Sequence, residues 1–232
     1  MTLIRASEPD CMTAVEAATR KGYAARSELA LRQALETWCR TRWPVARVVH
    51  ELVMGAGRVR ADVVAIDTTH IAAFEVKGSF DDTTRLLHQV GMFQLCVPEV
   101  WMVVGAPHSD DARLIRHLLP SVGLLVAPEM DRSWVSASNP AREVSLSVEA
   151  EAQPRAPVPD MALEMLWSAE LRGACAALRV SVGSRATRSK MIKAILGAGL
   201  TTDQISTAIC AELRGRDAVW RADPPERRER LA

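Results

Sequence analysis

The stretch Arg60–Gln89, RADVVAIDTTHIAAFEVKGSFDDTTRLLHQ, decides how this chain folds. Val59 to Asp67 and Ile71 to Gly78 are short runs rich in Val, Ile and Ala, and Asp67-Thr68-Thr69-His70 between them reads as a turn. Each run is therefore expected to be a strand. Side chains alternate faces along a strand, so Glu75 and Lys77 project from one face with Ile71 and Ala73, and Phe74 and Val76 take the other. A carboxylate and an ammonium at the end of an apolar strand are costly to bury unless something pairs with them. Asp62, near the start of the preceding strand, supplies a second carboxylate. Such a set suits a site that holds a hard cation beside a positioned water.

The segment just before it sharpens the geometry. Arg47 to Met54 reads as a strand and Gly55-Ala56-Gly57-Arg58 as a hairpin loop. That loop sets Met54 opposite Val59, Leu52 opposite Ala61, and Glu51 opposite Asp62. Opposed residues of an antiparallel pair have Cβ atoms about 4.5–5.5 Å apart, where like charges destabilise the sheet. Two facing carboxylates imply a cation between them or a raised pKa on one of them. The ordinary alternative is a solvated edge hairpin carrying surface charges.

Further upstream, Leu31, Leu35 and Trp38 recur at helical spacing, so Ala25–Trp43 is expected to be a helix, stopped by Pro44 and capped by Ser27. Glu28 then sits in the first turn, where the helix dipole favours an acid. Residues 1–22 mix acids, bases and small residues and read as an arm or a frayed helix.

Downstream, Ser79-Phe80-Asp81-Asp82 leads into a helix over Asp82–Cys96 that puts Arg85, Gln89 and Phe93 on one face. The uninterrupted apolar run Glu99–Val104 is expected to be a strand buried on both sides, followed by a helix over His108–Leu119 and another buried strand at Val122–Val126. This order predicts a βαβ crossover and a three-layer α/β/α core with a mixed sheet.

The residues Asp62 and Glu75-Val76-Lys77 resemble the PD-(D/E)xK motif of the restriction-endonuclease-like nuclease superfamily. His50-Glu51-Leu52, Arg60-Ala61-Asp62, Phe74-Glu75-Val76-Lys77, Arg85-Leu86-Leu87-His88-Gln89 and the later Leu166-Trp167-Ser168-Ala169-Glu170-Leu171 are similar to blocks of one bacterial and phage family within it. Two departures stand out: Ala61 takes the place of the motif's Pro, and Phe93 the place of Tyr in a QxxxY element that begins at Gln89. The resemblance implies a Mg2+- or Mn2+-dependent deoxyribonuclease acting in DNA repair, phage replication or defence. Asp62, Glu75 and the carbonyl of Val76 would be metal ligands, with Glu28 or Glu51 as a further acid. Lys77 and Gln89 would be catalytic, and Arg85 and Arg60 would meet the substrate phosphate. The alternative is a nucleic-acid-binding or adaptor protein that keeps the fold with little activity.

Composition shifts at Pro128. Ser133–Ala150 is expected to add a hairpin turning at Ser138-Asn139-Pro140, and the run Gln153–Pro159 to act as a Pro-rich linker. Beyond it helices are expected over Met161–Val180, Arg188–Leu196 and Thr202–Leu213, with a charged, frayed tail from Asp223. The division is an arm to residue 22, a nuclease-like core at 23–130, a connecting region at 131–160 and a small all-helical domain at 161–232. Ile192–Arg214 has helix-turn-helix spacing, and Arg185, Arg188, Lys190 and Lys193 would give it a basic side for DNA. A helical bundle that packs on the core, forms a homodimer or docks a protein partner fits the spacing equally well.

The 232 residues are 48% hydrophobic and 25% charged, with a net charge of +1, so nucleic acid would have to be met by a local basic patch rather than a global field. No apolar run nears the roughly 20 residues of a membrane span, and a soluble cytoplasmic protein is expected. The five cysteines (Cys11, Cys39, Cys96, Cys175 and Cys210) form no CxxC pair, which points to reduced thiols rather than to disulfides or zinc.

Overall fold

The computed structural model describes residues 14–130, 144–217 and 223. Six strands form one sheet in the order β1-β2-β3-β4-β5-β6: Arg47–Met54, Val59–Ile66, Ile71–Lys77, Glu99–Gly105, Gly123–Ala127 and Ser147–Ala150. β2 runs antiparallel to both β1 and β3, β4 and β5 continue parallel to β3, and β6 closes the sheet antiparallel. The chain is thus an α/β protein with a mixed sheet. The described residues form seven helices: α1 (Ala14–Arg42), α2 (Leu86–Cys96), α3 (Ser109–Leu118), α4 (Pro159–Leu163), α5 (Ser168–Ala177), α6 (Arg188–Leu196) and α7 (Thr202–Arg214).

Each face of the sheet carries its own apolar core. On one face Leu31, Leu35 and Cys39, spaced by four along α1, pack on Val63, Ala65, Phe74 and Val103. Trp38, Trp43, Phe74 and Trp101 meet there edge-on or stacked at centroid distances of 5.1–6.4 Å, with the Arg42 guanidinium 5.2–5.4 Å over three indoles. On the other face Val64, Ile66, Ala73, Met102 and Leu124 meet α2, α3 and residues of α4–α7 in one continuous cluster. β3 and β4 are buried along their whole length, Glu75, Lys77 and Glu99 included.

Several boundaries differ from those expected, each for a local reason. α1 starts at Ala14, well before Ala25, because the Ala-, Glu- and Arg-rich lead-in favours helix even without an apolar stripe. Ser27 is therefore interior to the helix rather than its cap; it is fully buried against Gly78, where an added Cβ would fall 2.3 Å from its Oγ. Only a residue without a side chain allows α1 to come this close to the end of β3. α2 begins at Leu86 rather than Asp82. The two acids before it make local turns instead, Asp81 Oδ2 accepting the Gly78 N–H at 2.6 Å and Asp82 Oδ1 the Thr84 N–H at 2.8 Å. The single helix expected over Met161–Val180 is broken into α4 and α5, since Glu170 turns back to accept the Trp167 N–H at 2.6 Å and starts a new helix.

The Pro-rich segment is hydrogen-bonded to α2 and to the loops that lead into β4 and β5 rather than hanging as a spacer. The N–H groups of Gln153, Arg155 and Val158 donate to the carbonyls of Ser121, Pro98 and Leu95, each at 2.9 Å. The helices beyond it are tied to β1 and β2 as well as packed on them. Arg47 Nη1 donates to the carbonyls of Leu213 and Arg214 at 2.9 Å, and Arg214 Nη1 to those of Ile66 (2.6 Å) and Val45 (3.0 Å). β6 falls within the hairpin expected over Ser133–Ala150 but pairs with β5; the other arm and the turn at 138–140 lie outside the described residues, as do residues 1–13 of the N-terminal arm and most of the tail. Asp223 is pinned to β1, its carboxylate accepting from Val48 N–H at 2.9 Å and from Arg40 at 2.7 Å. Among the described residues no helix is long and apolar enough to cross a membrane. Cys39, Cys96, Cys175 and Cys210 are buried free thiols.

Candidate active site

The site begins where the β2–β3 ladder stops. Pairing runs from Ile66 opposite Ile71 to Val63 opposite Phe74 and goes no further. Beyond that point the N–H of Val76 has no strand partner on the β2 side, and Asp62 Oδ2 accepts it at 2.8 Å. The N–H and C=O of one strand residue point to the same side, so the Val76 carbonyl faces the same opening. Two residues along β3, Lys77 Nζ donates to Glu75 Oε1 at 2.8 Å, both side chains being almost wholly buried. Glu75 Oε2 is buried as well and has no hydrogen-bond partner. The carbonyl oxygen of Gln89, which reaches in from α2, is in the same condition.

The hairpin register is the expected one on both sides of the acids, with Leu52 opposite Ala61 and His50 opposite Val63. Between those pairs Glu51 takes a left-handed backbone conformation, with φ of +59°. A residue without glycine's freedom rarely adopts it, and such strain concentrates at functional sites. Here it turns the hairpin over. Val63 and Ala65 face α1, and simple alternation would put Ala61 and Val59 with them. Instead these two join Leu52 and Met54 in the opposite core. Glu51 and Asp62 sit at the crossover point, where they are brought to the same cation.

That cation is Arg32 of α1. Its Nη2 lies 2.7 Å from both Glu51 Oε1 and Asp62 Oδ1, its Nε donates to Glu28 Oε1 at 2.8 Å, and its Nη1 to the Asp62 carbonyl at 2.9 Å. The cation expected between Glu51 and Asp62 is thus a guanidinium, and Glu28 and Glu51 spend their inner oxygens on it. Sequence reading passed over Arg32, although a signal was present: it follows Glu28 by one helical turn and borders the buried Leu31–Leu35 stripe.

Burial pushes the Asp62 carboxyl up to about 6, against the pull of Arg32 and the Val76 N–H. Burial, followed by the charge of Asp62, pushes Glu75 up to about 7, against Lys77 and the nearby Gln89 side chain. Two acids held in this way are short of positive charge.

These groups line a cleft of about 610 Å3. Asp62, Glu75, Val76, Lys77, Gln89, Glu28, Glu51, Arg60 and Arg85 all border it, together with Arg32, Arg58 and His88. The acids and Lys77 form the floor; Arg58, Arg60, Arg85 and His88 are exposed along the rim. Arg60 Nε also lies 2.5 Å from Glu51 Oε2. An oxygen-ligated ion would find donors in Glu75 Oε2, Asp62 and the Val76 carbonyl. Among the described residues no three His, Cys, Asp or Glu side chains form a ready-made metal cluster.

The basic residues expected on the C-terminal helices lie elsewhere. Arg185, Lys190 and Lys193 are exposed. Arg188 does not belong with them: it donates to the carbonyl of Leu166 and pairs with Glu164 Oε2 at 2.7 Å, bracing the α4–α5 junction. Nor does the Leu166–Leu171 block line the cleft; Glu170 pairs with Arg216 instead.

No curated protein and no solved structure matches the chain. Residues 24–217, which span both the cleft and the C-terminal helices, match a family described as Bacteriophage P4 protein cII. The chain belongs to the Bacteriophage P4 protein cII family.

Proposed function

We propose that the protein is a metal-dependent nuclease that hydrolyses DNA phosphodiester bonds, built on a restriction-endonuclease-like core. One observation carries this reading: the buried, unpartnered Oε2 of Glu75 beside Asp62 and Lys77, at the open end of a strand ladder. A buried carboxylate oxygen without a donor is unfavourable unless a cation completes it. Three antiparallel strands followed by a helix and a parallel strand also agree with the fold that the PD-(D/E)xK resemblance implies.

Mg2+ or Mn2+ suits the donor set, since hard ions take carboxylate and carbonyl oxygens and keep several waters. When bound, such an ion supplies a water of lowered pKa and offsets charge on the reacting phosphate. The chain's own residues do the rest. Asp62 and Glu75 hold the ion, and Lys77, fixed by Glu75, places a positive charge beside the attacked phosphate. Gln89 orients the water or the ligand acid from above, and Arg60 and Arg85 on the rim take the flanking phosphates. A family named for a bacteriophage protein accords with phage DNA as the substrate, in replication, repair or defence.

Titration of Mg2+ and Mn2+ against labelled single- and double-stranded DNA tests the reading. The wild type is expected to cut, and Lys77→Ala to be slower by about 10²–10³-fold, the usual loss when one charge-stabilising group is removed. Cleavage at the wild-type rate in Lys77→Ala, or in excess chelator, overturns the assignment. A second reading is favoured by Arg32, which already occupies Asp62 Oδ1. On that reading the cleft binds nucleic-acid phosphate without cutting it, and DNA is retained intact with no divalent ion required.

A further inference from the structure

Arg32 has no part in the chemistry above, yet it is the most thoroughly engaged side chain of the cleft. Its fork reaches Glu28, Glu51, the Asp62 carboxylate and the Asp62 carbonyl, all within 2.9 Å, and its side chain is 9% exposed. Glu51 and Asp62 meet on one nitrogen of Arg32, 2.7 Å from each, and without an intervening cation they would repel. The same contact fills Asp62: Oδ1 faces Arg32 and Oδ2 the Val76 N–H. Glu75 retains a buried oxygen with no partner, so the floor is half closed and half open.

A guanidinium and a divalent ion make competing claims on one carboxylate. Both are positive, and at such separations in a partly buried cleft their repulsion is weakly screened. We infer that Arg32 is a built-in counter-cation: it holds Asp62 and Glu51 together in the ion-free protein and must give up its Asp62 Oδ1 contact when a divalent ion binds. Glu28 and Glu51 keep the fork in the cleft after that release. The site is thereby stable without an ion and loads only against an internal competitor. This inference rests on the metal-site reading of Asp62 and Glu75.

The test is Mn2+ binding by calorimetry on the full chain, with melting curves in the presence and absence of the ion. Arg32→Gln keeps part of the hydrogen bonding but removes the charge. It is expected to melt lower than wild type without Mn2+, to bind Mn2+ about tenfold more tightly or better, and to gain more in melting temperature when the ion is added. Arg32→Lys retains a charge that cannot span both acids, and should fall between the two, with affinity raised about threefold or more. If Arg32→Gln does not fold, Arg32→Lys alone decides. Binding equal to or weaker than wild type in the folded variants overturns the inference and makes Arg32 a scaffold that preorganises the acids. Should neither wild type nor variant bind Mn2+, the metal-site reading fails, and the inference falls with it.

Discussion

Glu170 and Glu75 are both buried acids beside a cation, but only Glu170 has every oxygen engaged. Arg216 meets it with two donors, Nε to Oε1 at 2.6 Å and Nη2 to Oε2 at 2.5 Å, and the Trp167 N–H adds a third at 2.6 Å. The guanidinium also donates to the Met165 carbonyl at 2.8 Å, and its face lies 4.3 Å over the Trp167 ring. Nothing there is left for a ligand. Glu75 has one oxygen on Lys77 and one with no partner, and its neighbour Asp62 shares a single arginine with two other acids. The closed arrangement joins α4, α5 and the chain after α7. The open one lies at the mouth of a cleft, its two acids pushed up to about 6 and about 7. Completeness of pairing, more than the residue types, separates a structural ion pair from a chemical site.

Removing one partner of the closed pair should be the most damaging change. Arg216→Ala leaves Glu170 buried, charged and without its fork, which typically costs about 3–5 kcal/mol. Urea unfolding should show a midpoint far below wild type. A loss under about 1 kcal/mol would mean that the pair is a surface feature in solution and would dissolve the contrast.

The open site should respond in the opposite direction. Glu75 has a folded pKa raised from 4.5 to about 7, so the folded state holds its proton more tightly than the unfolded chain. Its contribution to stability is complete below about 4.5 and is lost as pH rises through about 7; Asp62, raised from 3.8 to about 6, has the same sign. Glu75→Gln is neutral at every pH and escapes this loss. With chelator present it should be more stable than wild type by about 2 kcal/mol near pH 8, and the gain should shrink towards nothing near pH 4. Cleavage should be lost in the same variant. A Glu75→Gln protein less stable than wild type at alkaline pH would mean that Glu75 is already satisfied, and the open site would be no different from the closed one.

Much of this was legible because strands carry simple rules. The runs of Val, Ile and Ala placed all three strands of the meander, and a four-residue loop set the register of the pairs that flank Glu51 and Asp62. Period-two alternation put Glu75 and Lys77 on one face, where they hydrogen-bond. What escaped depends on contacts between elements. The left-handed turn at Glu51, which swings the hairpin from one core to the other, breaks the alternation from which it would have been read. Arg32 enters the site only because α1 lies against Gly78, a close approach that follows from the absence of a side chain there and leaves no periodic trace. Arg188 looked like part of a basic face, but its partners are Glu164 and the Leu166 carbonyl at a helix break that the apolar pattern runs straight through.

The smallest effect tests how the closed region is built. Trp167 is about half exposed, so its burial adds little, and its role is to cover the guanidinium that Glu170 grips. A cation over an indole at a partly exposed position contributes about 0.5–1 kcal/mol. Trp167→Ala should therefore lower stability by about 1 kcal/mol in the wild type, its own N–H to Glu170 being backbone and retained. In an Arg216→Ala background there is no guanidinium left to cover, and the same change should cost close to nothing. The difference, read from a double-mutant cycle of unfolding midpoints, isolates the coupling between ring and cation. Equal costs in both backgrounds would show that the ring acts by packing alone, and that the closed pair is held by its hydrogen bonds without help from the indole.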